Sequence, residues 1–257
     1  MAALDAIVDY LDAELRTAEI ADHAGALNGL QLASRGDIKH VAAAVDYSTT
    51  AIKAAIRLGA NLLVVHHGMF WTDPAPLTGL AYERLSLLIA NDIAVYGSHI
   101  PLDLHPTFGN NPLLARELGL TPTAGFAMMR GLAVGVSGES RVNTEELVAR
   151  AEKFCARHHH KVVTTPIQAG QVTRRWGICT GAGASSDTLN EAVELGLDTI
   201  IVGEGPHHTA VQAIDLGLTV LYAGHYATET LGVIAITAEL SQRFGITASF
   251  IEAPTGL

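Results

Sequence analysis

The residues best suited to chemistry in this sequence are histidines placed beside carboxylates at the ends of apolar runs. His66 and His67 close the run NLLVVHHG (61–68), Asp103 follows His99 by four residues in SHIPLDLHP, and His225 and Glu229 stand four apart in GHYATE. Imidazole nitrogens and carboxylate oxygens together form the ligand set of a divalent ion, bonded at about 2.0–2.2 Å. Neighbours on a strand point to opposite faces, so His66 and His67 are expected to serve two adjacent ions, one each. A helical turn starting at His225 would put His225 and Glu229 on one face, within reach of a common ion. Each His–acid pair alone reads equally well as a capping acid or a surface polar residue, whereas a His-His-Gly pair at a strand end already favours function over a satisfied core histidine. Three such clusters at strand ends in one chain favour a metal centre built from His66, His67, Asp103, His225 and Glu229.

Other polar groups take lesser roles in this reading. His99 is expected to transfer protons or orient a neighbour beside the metals, and Glu229 to combine ligation with catalysis. His207 and His208, with Glu204 in GEGPHHTA, are expected to line the same site, either supporting the ligands or binding substrate. The run His158 to His160 follows a helix and reads as solvent-exposed. GAGAS (181–185) hints at a phosphate loop but lacks the lysine and the full glycine pattern of either nucleotide fingerprint. Cys155 and Cys179 are too few and too far apart for a thiolate site or a disulfide framework, and are read as reduced.

Ligands collect at the carboxyl ends of parallel strands, so the elements around these clusters matter. Leu4, Ile7, Val8, Leu11 and Leu15 recur at helical spacing. VAAAVD (41–46) reads as a buried strand, Ser48 or Thr49 as the cap of a helix to Leu58, Gly59 as its stop, and 61–68 as the next strand. A helix over 80–90 and a strand over 93–99 extend the parallel pattern. In the second half, 174–181 reads as a strand, Ser186 or Asp187 as a cap, TLNEAVELG as a helix and 197–205 as a strand. LGANLLVVHHG aligns with LGLDTIIVGEG, and AVYGSHIPLD with VLYAGHYATE, which sets His99 on His225 and Asp103 on Glu229. The fold class expected is therefore α/β, with two similar lobes related by internal duplication and the metal site in the cleft between them. The boundary is expected within 120–135, where periodicity fades, giving an N-terminal lobe over 1–125 and a C-terminal lobe over 126–257. LAVGVSG reads as a strand and NTEELVARAEKFCARH as a helix with Thr144 as its cap.

Bulk properties narrow the partners. Sixteen basic residues against 26 acidic ones give a formal charge of −10, which lacks the cationic surface that phosphate-backbone binding requires, so nucleic acid is not the expected partner. No stretch is long enough to span a bilayer, and the opening MAALDAIVDYLDAEL carries no secretory pattern, so a cytoplasmic protein is expected. Mixed imidazole and carboxylate ligands accept zinc, iron or manganese, and magnesium less readily. Two nearby ions suit hydrolysis of a phosphoester, amide or ring C–N bond in a small-molecule substrate such as a nucleotide. The competing reading is a non-catalytic metal-binding or partner-binding assembly.

Taken together, NGLQ (28–31), VVHHGMFW (64–71), YGSHIPLD followed by GNNPLLARELGL, GEGPHH and AGHYATE resemble the NIF-three-like family of dinuclear-metal proteins, also called GTP cyclohydrolase type two-like. The resemblance runs over nearly the whole chain. It implies two similar α/β lobes, paired metal ligands at His66, His67, Asp103, His225 and Glu229, and self-assembly as a toroidal homohexamer. GTP ring opening is the activity it suggests.

Overall fold

The computed structural model describes residues 1–71 and 75–257, which fall into two compact units. The first comprises Met1–Phe108 and Gly232–Ala253, and the second Gly109–Leu231 and Pro254–Leu257. This differs from a linear split after residue 125. The C-terminal segment returns to the first unit because its helix and strand bury their apolar residues there.

The first unit runs α1 (Leu4–Glu14), β1 (Gly29–Leu32), β2 (His40–Asp46), α2 (Thr49–Leu58), β3 (Leu62–His67), α3 (Gly79–Ala90), β4 (Ala94–Gly97) and α4 (Ile100–Asp103). The second runs α5 (Asn110–Glu117), β5 (Ala124–Met129), β6 (Leu132–Asn143), α6 (Thr144–Ala156), β7 (Val163–Thr164), β8 (Val172–Cys179), α7 (Ser186–Glu194), β9 (Thr199–Val202), α8 (His207–Asp215), β10 (Thr219–Tyr222) and α9 (His225–Thr228). Helix α10 (Thr230–Phe244) and strand β11 (Thr247–Phe250) close the chain.

The sheet of the first unit has the order β1-β4-β3-β2-β11, with β11, β2, β3 and β4 parallel and β1 antiparallel to β4. Strand alternation explains why both faces are covered. Val41, Ala43, Leu62 and Val64 pack with Ile7 and Leu11 of α1 and Val233, Ile236 and Leu240 of α10. The intervening Ala42, Ala44, Leu63 and Val65 pack on the other face with Ala51, Ile52 and Ala55 of α2 and Leu88 of α3. Near-continuous apolar runs are what a parallel sheet buried on both sides requires. Ser48 caps α2, its side chain accepting from Ala51 N, and Gly59 ends it at φ 69°, both as the sequence indicates.

The second unit repeats the β-α-β-α-β order with β8, α7, β9, α8 and β10, its three strands parallel and adjacent in the sheet β5-β6-β8-β9-β10-β7. Leu147, Phe154 and Cys155 of α6 cover one face, and Leu189, Ala192 and Ala213 of α7 and α8 the other. Two caps shift by one residue from expectation. Asn143 rather than Thr144 caps α6, accepting from Glu145 N and Glu146 N, and Ser185 caps α7, accepting from Thr188 N. Residues 120–135, read as a boundary, instead contain most of the antiparallel pair β5 and β6. Among the described residues, no helix is long and apolar enough to cross a membrane.

Candidate metal centre

In the first unit, three imidazoles meet beyond the carboxyl ends of β3 and β4. His66, His67 and His99 present ligand atoms that all lie within 4.8 Å of one another. The expected divergence of His66 and His67 does not occur: their ring centroids are 4.9 Å apart. Each ring is tethered through Nδ1. His66 Nδ1 lies 3.0 Å from the Ser98 carbonyl oxygen, and His67 Nδ1 lies 2.8 Å from Asp46 Oδ1. His66 Nε2 then faces Asp103 Oδ2 at 3.4 Å, with both side chains buried. Asp103 arrives on the short turn α4, directly after β4.

His99 is fixed the same way, its Nδ1 2.9 Å from Asp22 Oδ1. Burial works against the Asp22 charge, but hydrogen bonds and the attraction of His99, with Asn28 and His23 N as further donors, hold its carboxyl well below the usual carboxylate range. Asn28 bridges the two residues, donating to Asp22 Oδ2 at 2.9 Å and accepting from His99 N at 2.8 Å. His99 thus stands beside His66 and His67 as an oriented imidazole. Asp22, His23 and His99 also form a potential ligand group of their own.

The second unit carries the other pair. The turn expected at His225 forms as α9, and His225 Nε2 lies 3.0 Å from Glu229 Oε2. His225 Nδ1 lies 2.7 Å from Glu204 Oε1. Burial disfavours the imidazolium, yet the two carboxylates outweigh it and raise the His225 pKa to about 9. Glu204 thus orients His225, one of the two roles the sequence suggests for it. His207 and His208 are exposed on the first turn of α8, outside the His225 and Glu229 pair.

Candidate ligands backed through Nδ1 by a carboxylate or carbonyl are the arrangement in which a second partner fixes the tautomer and aims Nε2 at a metal. This donor chemistry fits a divalent ion, and the clusters can hold one. If His67 is a ligand, Asp46→Asn weakens metal binding by roughly 10–100-fold while leaving the fold intact. A competition titration with a chelator, paired with circular dichroism, measures both.

Several supporting residues carry no motif of their own. Gln31 Oε1 accepts from Met69 N at 2.7 Å, and the Gln31 amide lies so close to Gly68 that a Cβ there would sit 2.3 Å from Nε2. The turn after His67 is thereby clamped. The GAGAS segment, which hints at phosphate binding, serves the ligands instead. Gly181 N donates to Thr228 Oγ1, Gly181 O accepts from Glu204 N, and a Cβ on Gly181 would sit 2.1 Å from Glu229 Oε1. Asn111 anchors this loop, accepting from Thr180 N at 2.8 Å and donating to Val134 O at 2.8 Å. His158, read as a surface residue, is buried with Nε2 3.3 Å from Thr230 Oγ1.

Comparison with known proteins gives this arrangement its context. A Deinococcus radiodurans protein named GTP cyclohydrolase 1 type 2 homolog is 37% identical over 255 residues, covering 98% of this chain and 94% of that relative. An Escherichia coli K12 protein of the same name is 34% identical, covering 95% of each. Among solved structures, protein ybgI, described as of unknown function, superposes with a TM-score of 0.88 at 33% identity, covering 98% of this chain and 99% of that one. Reduced HcgD from Methanocaldococcus jannaschii gives 0.83 at 25% identity, covering 98% of both. The family Duf34/NIF3 (NGG1p interacting factor 3) matches residues 2–255, and this chain belongs to it.

Proposed function

We propose that this protein is a dinuclear metal-dependent hydrolase, with His66, His67 and Asp103 from the first unit and His225 and Glu229 from the second as ligands. The observation that carries the reading is the backing of His67 by Asp46 and of His225 by Glu204, at 2.8 and 2.7 Å. When bound, a pair of ions supplies Lewis acidity and activates water for attack on a phosphoester, amide or ring C–N bond. The chain's own groups do the positioning. Asp46 and Glu204 hold the imidazoles in one tautomer, and Asp22 does the same for His99, which is placed to pass a proton. The ions fitting this donor set are zinc, iron or manganese. The name borne by the relatives makes GTP ring opening one candidate reaction, within a wider class of nucleotide and phosphoester hydrolyses. Assembly as a toroidal homohexamer belongs to the same reading, and mass measurement in solution reads it.

Turnover by metal-loaded protein against a panel of nucleotides and phosphoesters tests this function. Hydrolysis of at least one substrate, reduced at least a hundredfold in Glu229→Ala, is expected. Activity indifferent to that change rejects the site. Absence of activity across the panel, with metal bound, favours a non-catalytic metal-binding assembly.

A further inference from the structure

Beside His67, the first unit opens a cavity of about 470 Å³ that ligation of metal does not explain. Its lining combines aromatic and aliphatic side chains, among them Tyr47, Phe70, Trp71 and Leu85, with Arg84 as the one Lys or Arg among the described lining residues. Trp71 joins the cavity to the imidazole cluster, its ring 5.4 Å from that of His67 and 4.9 Å from that of His99. The Arg84 side chain is held in place, with Nε donating to Thr49 Oγ1 at 3.1 Å and its guanidinium carbon 5.5 Å from the centre of the Tyr47 ring. Asp46, which also lines the cavity, is turned to His67 at 2.8 Å. Among the described residues no carboxylate forms an ion pair with Arg84 within 4 Å.

A mostly apolar pocket of a few hundred Å³ with one or two fixed polar groups is the ordinary form of a small-molecule site. Aromatic walls favour a planar ring by stacking, and a guanidinium favours an oxyanion through paired N–H donors. One cation among the described lining residues, with Asp46 also in the lining and a chain charge of −10, balances one anionic group and not a run of them.

We propose that this cavity receives the substrate of the metal centre, and that the substrate is a planar heteroaromatic compound carrying a single anionic group, its ring against Tyr47 and Trp71 and its anion on Arg84. The inference rests on the metal-centre reading for its link to chemistry, but binding in the cavity is measurable without metal.

The chain provides its own probe. It has two tryptophans, and Trp176 is fully buried in the core of the second unit, so a fluorescence change on ligand binding reports Trp71. Metal-free protein is titrated with guanosine 5′-monophosphate, guanosine, GTP and inorganic phosphate. The monophosphate is expected to quench Trp71 and to bind at least tenfold tighter than guanosine or phosphate, and no more weakly than GTP. Arg84→Gln should abolish the preference over guanosine while leaving metal content and melting temperature unchanged, and Trp71→Phe should remove the signal. Quenching that persists unchanged in Arg84→Gln, or a tenfold preference for GTP, overturns the proposal. Protein that takes up metal yet binds no monophosphate overturns it while sparing the metal centre. Protein that binds the monophosphate but takes up no metal sinks the metal centre and leaves the cavity standing.

Discussion

Gly181→Ala is expected to lose both stability and metal, whereas Gly217→Ala loses stability alone. Both glycines sit in the left-handed region, at φ 62° and 72°. An alanine in either position carries about 1–2 kcal/mol of backbone strain. The surroundings differ. Nothing lies within 4 Å of a Cβ built on Gly217, whereas one built on Gly181 meets Glu229 Oε1 at 2.1 Å and His225 Nε2 at 3.3 Å. The alanine must push the carboxylate away from the imidazole it shares a turn with. For a chain of this length a loss of about 1–2 kcal/mol lowers the melting temperature by roughly 2–8 °C. That drop should appear in both variants, while a fall in metal affinity of tenfold or more should appear only in Gly181→Ala. Calorimetry and a chelator competition read the two effects separately. Equal metal binding in the two variants would show that Glu229 does not need its present place.

Asp103→Asn is expected to separate function from stability in the opposite sense. The Asp103 carboxyl is 8% exposed and faces His66 Nε2 at 3.4 Å. Asparagine keeps the shape and a carbonyl oxygen but removes the buried negative charge, whose desolvation is costly. Metal affinity should fall by tenfold or more, since the neutral amide is a poor ligand for the ions that suit this site. The metal-free variant should melt no lower than the metal-free parent, because functional sites commonly hold charge at the expense of stability. Excess metal widens the gap again. At a hundredfold excess over Kd one bound ion stabilises the parent by about 2.7 kcal/mol, and the variant should gain far less. Melting curves with and without zinc, iron or manganese give the comparison directly. A variant stabilised by metal as fully as the parent would remove Asp103 from the ligand set.

The parts of this structure legible in the sequence are those fixed by short-range pattern. Ser48 and Gly59 bound α2 because a cap and a left-handed stop act within a few residues. His225 and Glu229 meet because a single turn brings i and i+4 together. The partners of these groups come from elsewhere in the chain. Asp46 reaches His67 because β2 and β3 run parallel in a register that sets the two residues side by side. That register is invisible in either segment alone, although an acid and a histidine both ending apolar runs was the available clue. Asp22 and Gln31 lie in and after a loop without periodicity, and only the folded unit shows that one aims His99 and the other clamps the turn after His67.

Hairpin β5-β6 was hidden for a different reason. Its turn places Arg130 at φ 52° and Gly131 at φ 83°, the two positive values of a type I′ connection. Arginine in place of the usual asparagine or aspartate gives no turn signal. Strand β11 pairs with β2 from the far end of the chain, a contact that local pattern does not carry. His158 to His160 read as a polar run, yet the α6 terminus turns the His158 ring inward beside Phe154 and Tyr226, the His160 ring packs against Gly224, and only His159 stays exposed.

Elemental analysis of the purified protein, expressed as metal ions per chain, tests the central claim most directly. The account predicts about two divalent ions per chain, falling together when either His66 or His225 is replaced by alanine. A ratio near zero after incubation with zinc, iron or manganese, in protein that circular dichroism shows to be folded, would contradict it.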